Sequence, residues 1–251
     1  SKQTGVLLLF DTVEQYVYPG QQGFAPAWEW LKDWVFDLPR GTVIFAGRSE
    51  GINVLKNDAS EKAFLSRSLD LFTPEETREY VTSIAREHQS RTGQSLSFSD
   101  EDIDKLHQAS KGRPILLALC LEIRVRNAEA FAALLQGQPQ NFEQEVINCL
   151  LSEPDLGETL KAAGRVPRGL NAELLAGIRG ISRREAESAL ERLGRMSFAK
   201  TFPDDERIFL HDEMYNLLQK YVYSDVADVA DRTSAGQKIY RYYKELSLIH
   251  I

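Results

Sequence analysis

The sequence predicts a mixed α/β and mainly α chain, on three observations. Two short apolar runs, Val6–Phe10 and "TVIFA" at Thr42–Ala46, bracket a helical pattern. From Thr73 onward almost every segment carries helical periodicity. Near the end, a helix, a glycine turn and a second helix are followed by two short β-like runs.

Val6–Phe10, inside "GVLLLFDTVEQ", is apolar without alternation, as a strand covered on both faces would be. Between the two runs, "PAWEWLKDWVFDLP" sets Trp30, Leu31, Trp34 and Val35 at helical spacing and closes at Pro39. A strand, a helix and a strand make a βαβ unit, so the two strands are expected to be parallel. Imperfect alternation over Phe64–Leu71 predicts a third short strand.

"TPEE" is a start signal: Thr73 caps, Pro74 fits the first helical position and Glu76 completes a capping box, opening a helix to about Gln89. "SDED" at Ser99 opens a second helix and "GRPILLALCLEIRVR" makes a third. Residues 127–141, "NAEAFAALLQGQPQN", are expected to be a linker that ends at Gly137 and Pro139. Helices follow near Phe142–Leu151, Leu156–Ala163 and Ala172–Ile178. Ser182 and Glu185 form another capping box ahead of Ala186, Ala189, Leu190 and Leu193. "SFAKTF" and "RIFL", joined by "PDDE", read as a hairpin, and the order is that of a winged helix. Gln237–Leu246 is expected to be helical.

Composition narrows the function classes. With 251 residues, 43% of them hydrophobic, the chain can bury a full core and form two domains. A net charge of -7 and a pI near 5.3 weigh against a nucleic-acid or anionic-membrane binder. The longest apolar runs are far short of the roughly 20 residues of a membrane span. Cys120 and Cys149 sit in apolar helical patterns without metal-ligand spacing, which favours core packing in a reducing cytosol and a cytoplasmic location.

In a parallel α/β sheet, ligands bind at the carboxyl ends of the strands. Asp11 stands at one such end and Arg48, in "IFAGRSE", at the next. An acid beside a guanidinium suits a magnesium-bound phosphate; a strand-end ion pair without function is the alternative.

"LLLFDTVEQ" resembles the Walker B segment of signal-transducing ATPases with numerous domains, the STAND class that includes NB-ARC and NACHT proteins. "TVIFAGR" is similar to their sensor-1 strand, "KGRPILLAL" to their G-x-P helix and "FLHDEMYNLL" to their M-H-D motif, with Leu210 in place of methionine. The resemblance runs from about residue 5 to residue 223. It implies a partial parallel α/β nucleotide-binding core over residues 1–72, the C-terminal part of a P-loop core. A helical subdomain with its linker follows over 73–140, then a winged-helix domain over 141–225 and a helix over 226–251 leading to a downstream module.

The resemblance also implies roles. Asp11 would hold magnesium, Glu14 would position or deprotonate the attacking water, and Arg48 would sense the γ-phosphate. Gly112 and Pro114 belong to the G-x-P motif, with Pro114 packed on the adenine. His211 would reach the β-phosphate of ADP, a hydrogen bond worth roughly 1.5–3 kcal/mol. Read from its position alone, His211 is better explained as a helix-cap residue just after the hairpin, preceding Asp212 in the first turn. His88, His107 and His250 lie on polar stretches and are assigned no chemistry.

The sequence contains no G-x-x-x-x-G-K-[ST] segment, the backbone cradle for phosphates. The expectation is therefore a piece of a longer, slow ATPase that uses ATP or ADP with magnesium when complete and binds no cofactor alone. Its partners would be the upstream nucleotide-binding segment and the downstream sensor domain of the same protein, with homo-oligomerisation on activation. One edge of the Val6–Phe10 strand should then be exposed or paired with another chain. The function implied is an ATP/ADP-controlled signalling switch. Two alternatives stay open: a DNA-binding winged helix related to origin-recognition ATPases, and an interaction scaffold indifferent to nucleotide. Against DNA, seven basic residues between Ser182 and Tyr221 meet eight acidic ones, and the hairpin tip is acidic.

Overall fold

A computed structural model describes residues 6–11, 41–47, 52, 65–224 and 229–249. The chain divides into two compact units, Ser1–Leu69 and Asp70–Ile251. Glu14, Arg48 and the helix expected over Pro26–Pro39 lie outside the described residues.

In the first unit, β1 (Val6–Phe10) pairs in parallel with β2 (Gly41–Phe45), Leu8 opposite Val43 and Phe10 opposite Phe45. Parallel pairing is what the βαβ pattern predicts. The Phe10 and Phe45 rings stack with centroids 5.4 Å apart, and Ala46 N donates to Phe10 O at 2.8 Å beyond the last pair. One expectation fails: Leu7 and Leu9 are 66% and 68% exposed, and no described residue covers that face. Among the described residues β1 pairs with β2 alone. Residues 65–71 form no strand, contrary to the alternation of Leu65, Leu69 and Leu71, all of them exposed. Alternation selects a strand only where a sheet edge is there to receive it.

The second unit is helical, with one hairpin. Helix α1 (Pro74–Thr92) begins with the expected reciprocal cap: Glu76 N donates to Thr73 Oγ1 at 3.2 Å, and Thr73 N to Glu76 Oε2 at 2.8 Å. It ends at Gly93, whose φ of 74° favours glycine. Helix α2 (Asp100–Ser110) has the same device in Ser99 and Asp102. Buried Thr77 meets His107 Nδ1 through its hydroxyl at 2.8 Å, tying α1 to α2.

Helix α3 (Pro114–Arg126) is apolar from Pro114 to Leu121, as a helix entering the centre of a core is, and turns charged with Glu122, Arg124 and Arg126. Leu116, Leu117, Leu119, Cys120, Leu121 and Ile123 are all buried. The expected linker is instead largely helix α4 (Ala128–Gln136), capped by Asn127, which accepts from Ala130 N at 2.9 Å. Alanine-rich sequence favours helix once capped, and Phe131 and Leu134 give it an inward face. A 3-10 turn over Pro139–Asn141 leads into α5 (Phe142–Leu151).

Helices α6 (Pro154–Gly164), α7 (Ala172–Arg179) and α8 (Arg183–Gly194) follow. Gly180, at φ 70°, turns α7 into α8, and Ser182 with Glu185 closes the predicted capping box. Strands β3 (Ala199–Phe202) and β4 (Asp205–Leu210) form the predicted antiparallel hairpin, with an irregularity between Thr201 and Phe202. Leu170 extends it unannounced by the sequence, exchanging two 2.9 Å backbone hydrogen bonds with Ile208. Helix α9 (Asp212–Tyr221) packs against α5 and α6, and α10 (Val229–Ile249) is longer than the predicted tail helix.

One contiguous core runs from Val81 through α3 and α5 to Phe198, Leu218 and Tyr223. Cys120 lies wholly inside it and Cys149 at its margin. No helix among the described residues is long and apolar enough to cross a membrane. The chain is thus mixed α/β and mainly α.

Candidate functional site

The entry to α3 is built from two consecutive left-handed residues, Lys111 at φ 54° and Gly112 at φ 69°. Gly112 is buried against the preceding segment: Phe72 N donates to its carbonyl at 2.9 Å. A Cβ at Gly112 would collide with the Phe72 carbonyl, so only glycine fits the turn. The turn leaves Pro114 exposed at the first position of α3, where its missing N–H breaks no bond.

His211 arrives from the opposite direction in sequence. It occupies the N-cap of α9, and its carbonyl accepts from Met214 N at 2.8 Å and Tyr215 N at 3.1 Å. Its backbone N–H donates to Phe198 O at 2.9 Å. The imidazole makes no cap hydrogen bond. Burial, then the nearby Lys200 charge, lower its pKa from 6.5, and Asp212 only partly opposes them. The ring is therefore neutral near pH 7, with one N–H to donate and one nitrogen to accept.

Pro114 and His211 line the same cavity, of about 430 Å3. That volume falls within the roughly 300–1,000 Å3 of small-molecule sites. Ile115 and Ala118 continue the apolar wall along α3, and Tyr80 of α1 closes one side with its phenol pKa raised, first by burial. Ser197 adds a hydroxyl; its backbone N–H is held by Glu122 Oε1 of α3 at 2.9 Å. Arg113 and Glu213 form a charged corner, joined to each other by an ion pair. Pro114 and His211, singled out from sequence, thus meet around one space, while Gly112 lies outside its lining, in the turn that precedes Pro114. Tyr80, Ser197, Arg113 and Glu213 were not singled out, although Arg113 and Glu213 sit inside the two motifs that carry Pro114 and His211.

Asp11 belongs to the first unit, where it follows the carboxyl end of β1 and is exposed. Among the described residues no group of three His, Cys, Asp or Glu side chains is placed to hold a metal ion.

A second concavity of about 360 Å3 lies between α8 and the hairpin. Its basic residues are engaged: Arg183 Nε donates to Glu187 at 2.9 Å, and Arg207 grips Asp205 through Nε and Nη2 at 2.6–3.1 Å. The Arg207 hydrogen bonds hold the Asp205 carboxyl down at about 2.

No family model matches the sequence, and no curated protein matches it either.

Proposed function

We propose that this chain is part of an ATP/ADP-controlled signalling switch of the STAND type. In it, residues 141–225 act as a winged helix that closes over a nucleotide seated against the start of α3. The observation that carries this is the convergence of Pro114 and His211, at the starts of α3 and α9, on one largely apolar cavity. The order α7, glycine turn, α8, hairpin, with Leu170 bridged to Ile208 at the hairpin's other side, supports the winged-helix assignment.

The residues fit the group they would hold. Pro114, Ile115 and Ala118 offer a flat apolar wall to a base, and the neutral imidazole of His211 can donate its N–H to a phosphate oxygen. Arg113 is already shared between carboxylates, so phosphate recognition falls to His211 and to the backbone cradle that this sequence does not contain. Asp11, at a strand's carboxyl end in a separate unit, is the proposed magnesium ligand, with Glu14 and Arg48 completing the hydrolytic set. Bound magnesium would neutralise phosphate charge.

Titration with a fluorescent ADP analogue tests this. We expect weak binding by this chain, further weakened about tenfold or more by His211→Ala through loss of one charge-assisted hydrogen bond. Adding the upstream segment with a phosphate loop should strengthen it. Unchanged affinity in His211→Ala, or no nucleotide carried by the lengthened protein, would remove the proposed role.

A DNA-binding winged helix is the weaker assignment, because the arginines of the groove between α8 and the hairpin are spent on neighbouring acids. Duplex binding with a steep salt dependence would favour it over the nucleotide switch.

A further inference from the structure

Arg113 caps nothing at the start of α3; its guanidinium turns outward to two other helices. Nη1 donates to Glu143 Oε1 in the first turn of α5, and Nη2 donates to Glu213 Oε1 in the first turn of α9. The two partners are 30 and 100 residues away in sequence. The other oxygen of Glu143 accepts from Lys220 Nζ at 2.9 Å and from the Tyr221 hydroxyl at 2.6 Å, both at the far end of α9. A single carboxylate on α5 and a single guanidinium on α3 thereby hold α9 at both ends.

We propose that Arg113 and Glu143 form an ionic clasp that keeps α9, and with it His211, against the wall of the cavity, and that parting this clasp is the step that opens the cavity. Isolated exposed ion pairs contribute little, but these side chains are only one-quarter exposed. Arg113 is also forked between two acids, the geometry for which guanidinium is suited and ammonium is not. Burial alone would raise the Glu143 pKa; the Tyr221 and Lys220 hydrogen bonds, with the Arg113 charge, lower it instead. The carboxylate is therefore held ionised by its neighbours. The clasp is built of protein groups only and stands whether or not the cavity takes ADP.

Distances between nitroxide labels test the clasp in the full chain without nucleotide. Cysteines are placed at Gln89 of α1 and Gln219 of α9, both exposed, in a Cys149→Ala background that leaves only the fully buried Cys120. The parent should give one narrow distribution. Arg113→Gln should raise a second, longer population about five- to tenfold, because it leaves two acids without their shared cation. Arg113→Lys, which can satisfy one acid at a time, should fall between. The Arg113→Gln and Glu143→Gln effects must fall short of adding: the double variant should open less than the two single effects combined, the remainder of the Glu143 effect coming from its bonds to Lys220 and Tyr221. Urea unfolding of each variant separates opening from loss of fold. If Arg113→Gln does not fold, Glu213→Gln, at a carboxylate 45% exposed, carries the same test with an expected two- to threefold rise. Unchanged distances in the single variants, or strictly additive effects, would overturn the clasp. Because no nucleotide is present, failure of the ADP assignment would show only in the titration described above.

Discussion

Asn171 and Tyr242 are joined by a 2.7 Å hydrogen bond from the side-chain amide N–H to the phenol oxygen, while Asn171 Oδ1 accepts from Leu174 N at 2.9 Å. One side chain therefore starts α7 and moors α10. Asn171→Asp should keep the cap and lose the donor, costing about 0.5–1.5 kcal/mol. Asn171→Ala should add the loss of the cap, about 1 kcal/mol more. Urea denaturation reads both, and limited proteolysis should release α10 more readily from either variant. Equal stability of the Asp and Ala variants would mean that the cap contributes nothing.

Glycines in the left-handed region should differ in their tolerance of alanine. At Gly93, φ is 74° and open space surrounds the missing Cβ, so Gly93→Ala should cost only backbone strain, about 1–2 kcal/mol. At Gly112 the same strain is joined by collision with the Phe72 carbonyl. Gly112→Ala should therefore lose clearly more stability than Gly93→Ala and should perturb the Pro114 end of the cavity. Thermal unfolding of the pair decides it.

His211 should make stability sensitive to mild acid. Its folded pKa lies below 6.5, lowered first by burial. Above about pH 7.5 neither state carries the proton, and His211 adds no pH dependence. As pH falls below that the unfolded chain takes up the proton first, so stability declines, levelling once the folded imidazole also protonates. His211→Asn, which suits the N-cap, should flatten the decline between about pH 7.5 and 5.5 in urea titrations. An equal decline in the variant would place its origin elsewhere.

Phe131 should behave as a core residue. It is 4% exposed, meets Phe98 edge-on at 5.9 Å and lies beneath the Arg124 guanidinium at 6.0 Å. Phe131→Ala should cost about 3–5 kcal/mol, whereas an aromatic in a true linker would cost almost nothing. The unfolding free energy distinguishes the two directly.

What the sequence made legible was what is decided locally. Thr73 with Glu76 and Ser182 with Glu185 are reciprocal caps three residues apart, and the turn at Pro203-Asp204 is set by its own chemistry. The α4 segment reads as a linker in sequence because alanine and glutamine carry little hydrophobic contrast; what fixes it as a helix is the burial of Phe131 and Leu134 against other helices. Residues 65–71 show the opposite case: their leucines alternate, yet among the described residues they pair with no strand and stay exposed. Of the cavity, Pro114 and His211 were visible through their motifs. The pairing of Arg113 with Glu143 and Glu213 was not, since no pattern in sequence links side chains so far apart.

The continuity of the core bears on time rather than on energy alone. Phe198, Met214 and Leu218 belong to the same buried mass as Leu117 and Leu121 of α3. Carrying His211 far from Pro114 would prise apart close-packed side chains before water could reach them, and such packing does not yield by degrees. Departure from the closed arrangement should be a rare, abrupt event with a long waiting time. The switch proposed above would then ignore brief stimuli and answer only sustained ones.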